Sequence, residues 1–401
     1  MPDCLLPPTR PKPTVLPPPE AAARAISEKL LQVILAEMAQ NGGRVTFDRF
    51  MDLALYAPGQ GYYTAGSRKF GETGDFITAP EVSPLFAQCL ARQAQEVLNL
   101  LDGGDILEFG AGSGVLAADL LKELMLLDAL PANYLIMEVS PDLQQRQHET
   151  LKRQVPELVS RVRWLERLPE GFRGLALANE LLDAMPVSRF CIAQTGLQEG
   201  FVTEDAQGLR EIFEEPTTPG FAEAVHGIEA VVGRLPIGYV SELNLRQGPW
   251  LQTLAEVMQR GAVLLIDYGY PRSEYYHPQR STGTLMCHYR HRAHPDPFLW
   301  VGLQDITSHV DFSALAQVGH QAGFKLAGYT TQAHFLLATG LDEILAGSDP
   351  NNLTRHMQLV QGVKRLTLPS EMGERFKVMA FTKGLDAGLI GFGLLNLQHR
   401  L

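Results

Sequence analysis

The sequence predicts an α/β fold: a doubly wound, mostly parallel sheet with helices on both faces, preceded by an N-terminal helical region and interrupted by a small inserted subdomain. Three observations carry that reading. Between about residues 101 and 270, short apolar runs alternate with helix-length segments, the pattern of successive β-α units. The first run, Ile106-Leu107-Glu108-Phe109, breaks into Gly110-Ala111-Gly112-Ser113-Gly114, which reads as strand, glycine turn, helix. The next, Tyr134-Leu135-Ile136-Met137, stops at an acid, Glu138.

The elements follow in order. Eight prolines among the first nineteen residues cannot continue a helix, so residues 1–19 read as a disordered or extended tail. Ile26, Leu30, Val33 and Ile34 recur at helical spacing and Asn41-Gly42-Gly43 supplies the stop. A second helix starts at Thr46 and ends near Tyr56-Ala57-Pro58-Gly59. A glycine-rich loop then leads through Pro80 into a helix ending near Leu98. The expected core strands are Asp105–Phe109, Tyr134–Glu138, Arg161–Leu165, Gly174–Asn179 and Ala262–Asp267. Residues 188–238 read as short strands and turns, and 271–310 as an irregular, substrate-facing loop rich in histidine and proline. A helix over Phe312–Ala322 and two β-like runs, Lys325–Leu337 and Arg375–Thr382, complete the chain. The organisation expected is therefore 1–19 tail, 20–100 helical cap and loop, 101–187 first part of the core, 188–238 inserted β-rich subdomain, 239–270 core continued, 271–310 loop, 311–401 core completed.

Composition narrows the function. With 401 residues, 45% of them hydrophobic, a large core is available. The net charge of -11 argues against nonspecific binding of DNA or RNA and favours a protein or small-molecule partner. No apolar run approaches a membrane span, so no membrane insertion is expected. Cys4, Cys89, Cys191 and Cys287 are far apart, which suggests neither a disulfide framework nor a zinc site. His288, His291 and His294 recur every third residue, but arginines interrupt the run, so no metal is expected.

Gly110, Gly112 and Gly114 let a backbone turn closely around a ligand, and Glu138 is placed to accept hydrogen bonds from two ribose hydroxyls. The pair indicates an adenosine-containing cofactor. The dinucleotide spacing fails when counted from Gly110 and passes when counted from Gly112, so spacing alone leaves NAD open. Ala178 to Val187 follows the fourth strand, beside the first strand in a doubly wound sheet, where ligands bind. Asn179, Glu180 and Asp183 there are suited to hold a substrate amine or guanidinium and to take its proton, although Asp183 would also suit a helix cap. Asp267, ending the fifth strand, either touches substrate or caps a turn. In the loop from Gly71 to Glu81, Asp75 and Thr78 set a carboxylate and a hydroxyl among glycines, as a cofactor lid needs; a polar surface turn is the alternative.

Glu108 followed by Gly-x-Gly-x-Gly resembles motif I of class I S-adenosylmethionine-dependent methyltransferases. Leu53-Ala54-Leu55-Tyr56 with Gly61-Tyr62-Tyr63, Gly74 to Glu81, Glu138-Val139-Ser140-Pro141, Ala178 to Val187, Asp267-Tyr268-Gly269-Tyr270, Gly283-Thr284-Leu285 and Asp305 to Phe312 extend the likeness. Together they resemble the MidA-like methyltransferases, whose mitochondrial members help assemble respiratory complex I. That resemblance implies a class I methyltransferase, Rossmann-like fold with an antiparallel terminal strand pair, and S-adenosylmethionine as cofactor. It also implies cofactor contacts at Glu108, Gly110, Gly112, Gly114 and Glu138, with Asp75, Thr78 and Asn179 beside them, and methylation of a protein arginine served by Glu180, Asp183 and Asp267. Ala111 and Ser113 stand where many relatives carry proline and arginine. The expected location is the bacterial cytoplasm, with the mitochondrial matrix as the alternative, and a homodimer stays open. A non-catalytic assembly chaperone and an NAD-dependent oxidoreductase are the competing readings.

Overall fold

The computed structural model describes residues 16–65, 78–349 and 351–401. Its central sheet has eight strands. In chain order seven of them are β1 (Asp105–Phe109), β2 (Tyr134–Met137), β3 (Val162–Leu165), β4 (Phe172–Asn179), β5 (Met258–Tyr270), β6 (Lys325–Thr331) and β7 (Phe376–Lys383). They lie in the order β6-β7-β5-β4-β1-β2-β3, and Val310–Asp311 pairs with the end of β5. β1 to β5 are parallel neighbours, whereas β7 runs antiparallel to both β5 and β6.

Alternating residues of these strands supply two cores. Ile106, Leu175, Leu177, Leu264 and Ile266 point to one face, and Leu107, Phe109, Ala176, Val263 and Leu265 to the other. Helices cover both faces, which explains why the strands are mostly apolar at both alternating positions, with Glu108 in β1 an exception. Each fully buried leucine or isoleucine contributes about 1.5–3 kcal/mol relative to exposure. The expected terminal pair is present, but the run to Leu337 divides: β6 stops at Thr331, whose hydroxyl accepts from the His334 N–H and starts a helix over Gln332–Ala338.

The connections depart further from expectation. Residues 188–238 contain three strands, Ser188–Ala193, Gly196–Asp205 and Gly208–Glu214, followed by a helix over Phe221–Val232. That helix was legible: Phe221, Val225 and Ile228 are buried at four- and three-residue spacing. Val240–Leu243 pairs antiparallel with Ser188–Ala193, and Arg44–Thr46 pairs with Gly196–Asp205, so this second sheet draws strands from beyond the insertion on both sides. Such pairing is non-local and leaves no periodicity to read.

Residues 271–310 are ordered rather than irregular. They hold a short helix, Arg272–Tyr275, and a three-stranded sheet of Met286–Tyr289, Arg292–His294 and Asp305–Thr307. Arg290 and His291 make its tight turn with φ of 47° and 58°. His288, His291 and His294 therefore occupy a strand, a turn and the returning strand. The proline-rich residues 1–15 and the loop residues through Ile77, Asp75 included, lie outside the described residues.

One buried acid ties the second sheet to this segment. Glu242 accepts from Arg189 Nη1 at 2.6 Å and from the Thr284 backbone N–H at 2.8 Å. Gly283 has φ of 78°, and a Cβ there would stand 2.2 Å from Glu242 Oε1. Gly283→Ala should lower stability by about 2 kcal/mol through left-handed strain and displacement of Glu242. Urea denaturation checks it; an unchanged midpoint would show that this junction yields without cost.

Candidate active site

The turn after β1 is built on left-handed backbone. Gly110, Gly112 and Gly114 have φ of 65°, 52° and 79°. Gly114 precedes the helix Val115–Leu126, and a Cβ there would meet the Gln147 backbone at 2.9 Å, so glycine is required on two counts. Gln147, absent from the sequence reading, organises the neighbourhood. It is fully buried; its Nε2 donates to Gly112 O at 3.2 Å and to Glu138 Oε2 at 3.0 Å, while its Oε1 accepts from Trp164 Nε1 at 2.8 Å. The other Glu138 oxygen accepts from the Ser140 N–H at 2.9 Å. Glu108 accepts from the Tyr134 hydroxyl at 2.7 Å, and burial pushes its carboxyl up to about 7.

Across the crevice, β4 ends in Asn179 and the chain turns sharply at Glu180, whose φ is 51°. A non-glycine residue there is strained, and the surrounding bonds hold it. The Glu180 N–H donates to Ile266 O at 2.9 Å, and its Oε1 accepts from Asn179 Nδ2 at 3.2 Å and from the Ala79 N–H at 3.4 Å. Burial and then the nearby Asp183 push Glu180 up to about 8. Burial likewise raises Asp183 to about 6, opposed by a hydrogen bond with Tyr268. No helix follows Asp183, which removes the capping alternative.

Asp267 does not reach the cavity. It is 1% exposed; Oδ2 accepts from the N–H groups of Leu182 and Asp183 at 2.9 and 3.2 Å, and Oδ1 from that of Tyr268 at 2.9 Å. Of its two sequence readings, the turn cap is the one these bonds describe, and it makes Asp267 a positioning residue.

Glu108, Gly110, Gly112, Glu138, Thr78, Asn179, Glu180 and Asp183 all line one cavity of about 1790 Å³. Tyr56, Tyr63, Tyr268 and Asp305 form another part of its wall. Tyr56 and Tyr63 stack with ring centres 5.5 Å apart, and the Tyr63 hydroxyl donates to Asp305 at 2.9 Å. The Tyr56 and Tyr63 motif gave a sequence signal, but its place opposite the carboxylates comes from the packing of the N-terminal helices.

A family described as "Putative S-adenosyl-L-methionine-dependent methyltransferase" matches residues 89–330, more than half of the chain. The chain belongs to this family. The mouse (Mus musculus) protein arginine methyltransferase NDUFAF7, mitochondrial, is 30% identical over 376 residues, covering 84% of this chain and 81% of the relative. The Drosophila melanogaster homologue is 29% identical, covering 92% and 89%. Among solved structures, a protein from Burkholderia thailandensis bound to S-adenosyl-homocysteine is 44% identical with a TM-score of 0.92, covering 96% of this chain and all of that one. A native structure from the same organism gives 44% and 0.89.

The methyltransferase core is thus the central sheet, its strand order matching the expected class I arrangement. The choice between S-adenosylmethionine and NAD, open on glycine spacing, falls to S-adenosylmethionine. Gln147→Ala should weaken binding of S-adenosylhomocysteine about tenfold by freeing both the glycine turn and Glu138. Isothermal calorimetry reads this directly; equal affinity in a folded variant would show that Gln147 supports the fold alone.

Proposed function

We propose that this methyltransferase modifies an arginine side chain of a protein, with Glu180 and Asp183 as the groups that receive the guanidinium. The observation that carries the reading is the placement of two buried carboxylates in the same cavity as the glycine turn and Glu138. The names of the mouse and Drosophila relatives support the arginine assignment. The resemblance noted from sequence extends the proposal to a respiratory complex I subunit as the protein modified.

The residues present fit the cofactor. The turn from Gly110 to Ser113 lines the cavity, with Gly114 buried behind it against Gln147; Glu138 is buried and oriented, and Asn179 Oδ1 is buried without a partner among the described residues. We assign Gly110, Gly112, Gly114, Glu138, Asn179, Glu108 and Thr78 to its binding. When bound, S-adenosylmethionine supplies an electrophilic methyl group on a sulfonium sulfur. A guanidinium entering beside Glu180 and Asp183 favours their ionised forms, and the paired carboxylates fix its plane by hydrogen bonds. Ionised Glu180 then accepts the proton that the nitrogen loses on methylation. Tyr56 and Tyr63 offer ring faces against which a planar cation stacks. These retained carboxylates argue against a non-catalytic chaperone.

The sign of the pH dependence follows. Both acids are raised in the free enzyme, so they are neutral below their pKa values and charged above them. kcat/KM should therefore climb between about pH 6 and 8 and level off above. Glu180→Gln should lower kcat/KM by about 10²–10³ while S-adenosylhomocysteine still binds. Mass spectrometry of methylated protein partners tests the acceptor. A folded Glu180→Gln enzyme with wild-type turnover, or methyl groups found only on residues other than arginine, would overturn this assignment.

A further inference from the structure

The cavity carries a second charged region that methyl transfer to arginine leaves unused. Tyr268 and Tyr270 lie two residues apart on β5, so both side chains leave the same face of the strand, about 7 Å apart. Tyr268 joins the acidic end, bonded to Asp183. Tyr270 joins a basic one. The Arg280 guanidinium lies over its ring at 4.2 Å and the Lys377 ammonium at 5.8 Å from the ring centre. Arg375 lines the same cavity from the start of β7. His309 lies between the two tyrosines, its ring centre 5.1 Å from Tyr268 and 5.2 Å from Tyr270, and its buried Nδ1 has no partner among the described residues.

Carboxylates offset this positive charge only at a distance: Glu274 and Glu374 act on Lys377 without a direct ion pair. Among the described residues, Arg280, Arg375 and Lys377 make no ion pair with a carboxylate, and Arg280 and Lys377 donate to backbone carbonyls. Two of the nearby acids are engaged elsewhere: Glu274 with Arg400, and Asp311 with Arg272 at 3.0 Å. The cost shows on the groups themselves. Burial pushes His309 down to about 4, with the charges of Arg280, Lys377 and Arg375 adding to it, and burial lowers Lys377 to about 8. Arg375 and His309 line the cavity, and Arg280 and Lys377 stand against the ring of Tyr270, which lines it too; such a cluster is arranged for an anion that arrives with a ligand.

We propose that Arg280, Arg375, Lys377 and His309 form a carboxylate-binding subsite, which takes an aspartate or glutamate lying within about three residues of the methylated arginine in the polypeptide substrate. The proposal rests on the arginine reading of the acidic end. An extended chain advances about 3.3 Å per residue, so an acid a few residues from the arginine spans from the Asp183 end to the Tyr270 end. The subsite fixes the direction and register of the chain in the cavity, and it selects against neutral sequences at that position.

The test uses acetylated, amidated nine-residue peptides with one central arginine in a glycine-serine background. A single glutamate is placed at each position from three before to three after the arginine, with glutamine counterparts. Methylation is followed by mass spectrometry. Binding to the S-adenosylhomocysteine complex is followed by fluorescence anisotropy, for wild type, Arg375→Gln and Arg280→Gln, with thermal melts to confirm folding. At one or two positions, glutamate should raise kcat/KM and affinity about tenfold over glutamine. The advantage should shrink at high salt and collapse in Arg375→Gln. Arginine methylation with no glutamate advantage at any position overturns the subsite and leaves the arginine reading standing. A glutamate advantage in binding that Arg375→Gln abolishes, without methylation of any peptide, supports the subsite and overturns the arginine reading. Equal binding of both sets, or none, overturns the subsite.

Discussion

The bonds around Asp267 hold the two halves of the site in register. Its buried carboxylate accepts from three backbone N–H groups, two in the loop after β4 and one at its own strand end. β4 and β5 are already paired up to Asn179 and Ile266, and the Glu180 N–H extends that pairing through Ile266 O. Asp267 continues the tie past the point where β4 ends. Without it, Glu180 would have little reason to stay at φ of 51°, since left-handed backbone costs a side-chain-bearing residue of order 1 kcal/mol. The strain of the Glu180 turn is thus sustained from behind, by a residue that does not line the cavity.

Concentrating Asp267, Asp183 and Glu180 in one buried place has an electrostatic consequence. Burial, then Asp183 and Glu180, push Asp267 well above the usual carboxylate range. Three carboxyls buried this close together cannot all ionise cheaply, so Asp183 raises Glu180 and both raise Asp267. A bound cation reverses the balance and drives protons out. On the proposed arginine reading the site would discriminate by charge before geometry: a neutral acceptor offers nothing to offset ionisation of the pair, whereas a guanidinium would do so with two parallel hydrogen bonds.

What the sequence made legible follows from which interactions are local. β1, β2, β4 and β5 were readable because each consists of consecutive residues that face one of two cores, so their burial is written as continuous apolar runs. Glu138 and Glu180 were readable because each directly follows such a run. Gln147 was not, since it sits in a polar helix and acquires its role only when that helix brings it under Gly112. Asp267 was half legible: strand-end position marked it as important, but the choice between substrate and backbone depends on bonds to residues far back in the chain. The short strands of 188–238 were readable, but their completion into a sheet by Arg44–Thr46 and Val240–Leu243 was hidden for the same reason. The three histidines recur every third residue in the sequence, and the turn at Arg290 and His291 divides them between two strands and the turn itself.

The two charged ends of the cavity come from different levels of the architecture. The acidic end belongs to the loops after β4 and β5, at the switch point that any doubly wound sheet offers a ligand. The basic end is assembled from the segment after β5 and from β7, the antiparallel strand that distinguishes this sheet from a purely parallel one. Placing Lys377 on β7 and Arg375 just before it keeps them a fixed distance from Tyr268 and Tyr270, because Tyr268 pairs with Phe376 in the ladder itself. That rigidity matters in a chain of net charge -11, whose long-range field attracts cations and repels acids. At physiological ionic strength the field fades within about 8 Å, and the local cations then govern what the cavity accepts. A mixed-charge peptide can satisfy both, arriving by its positive charge and settling by its negative one.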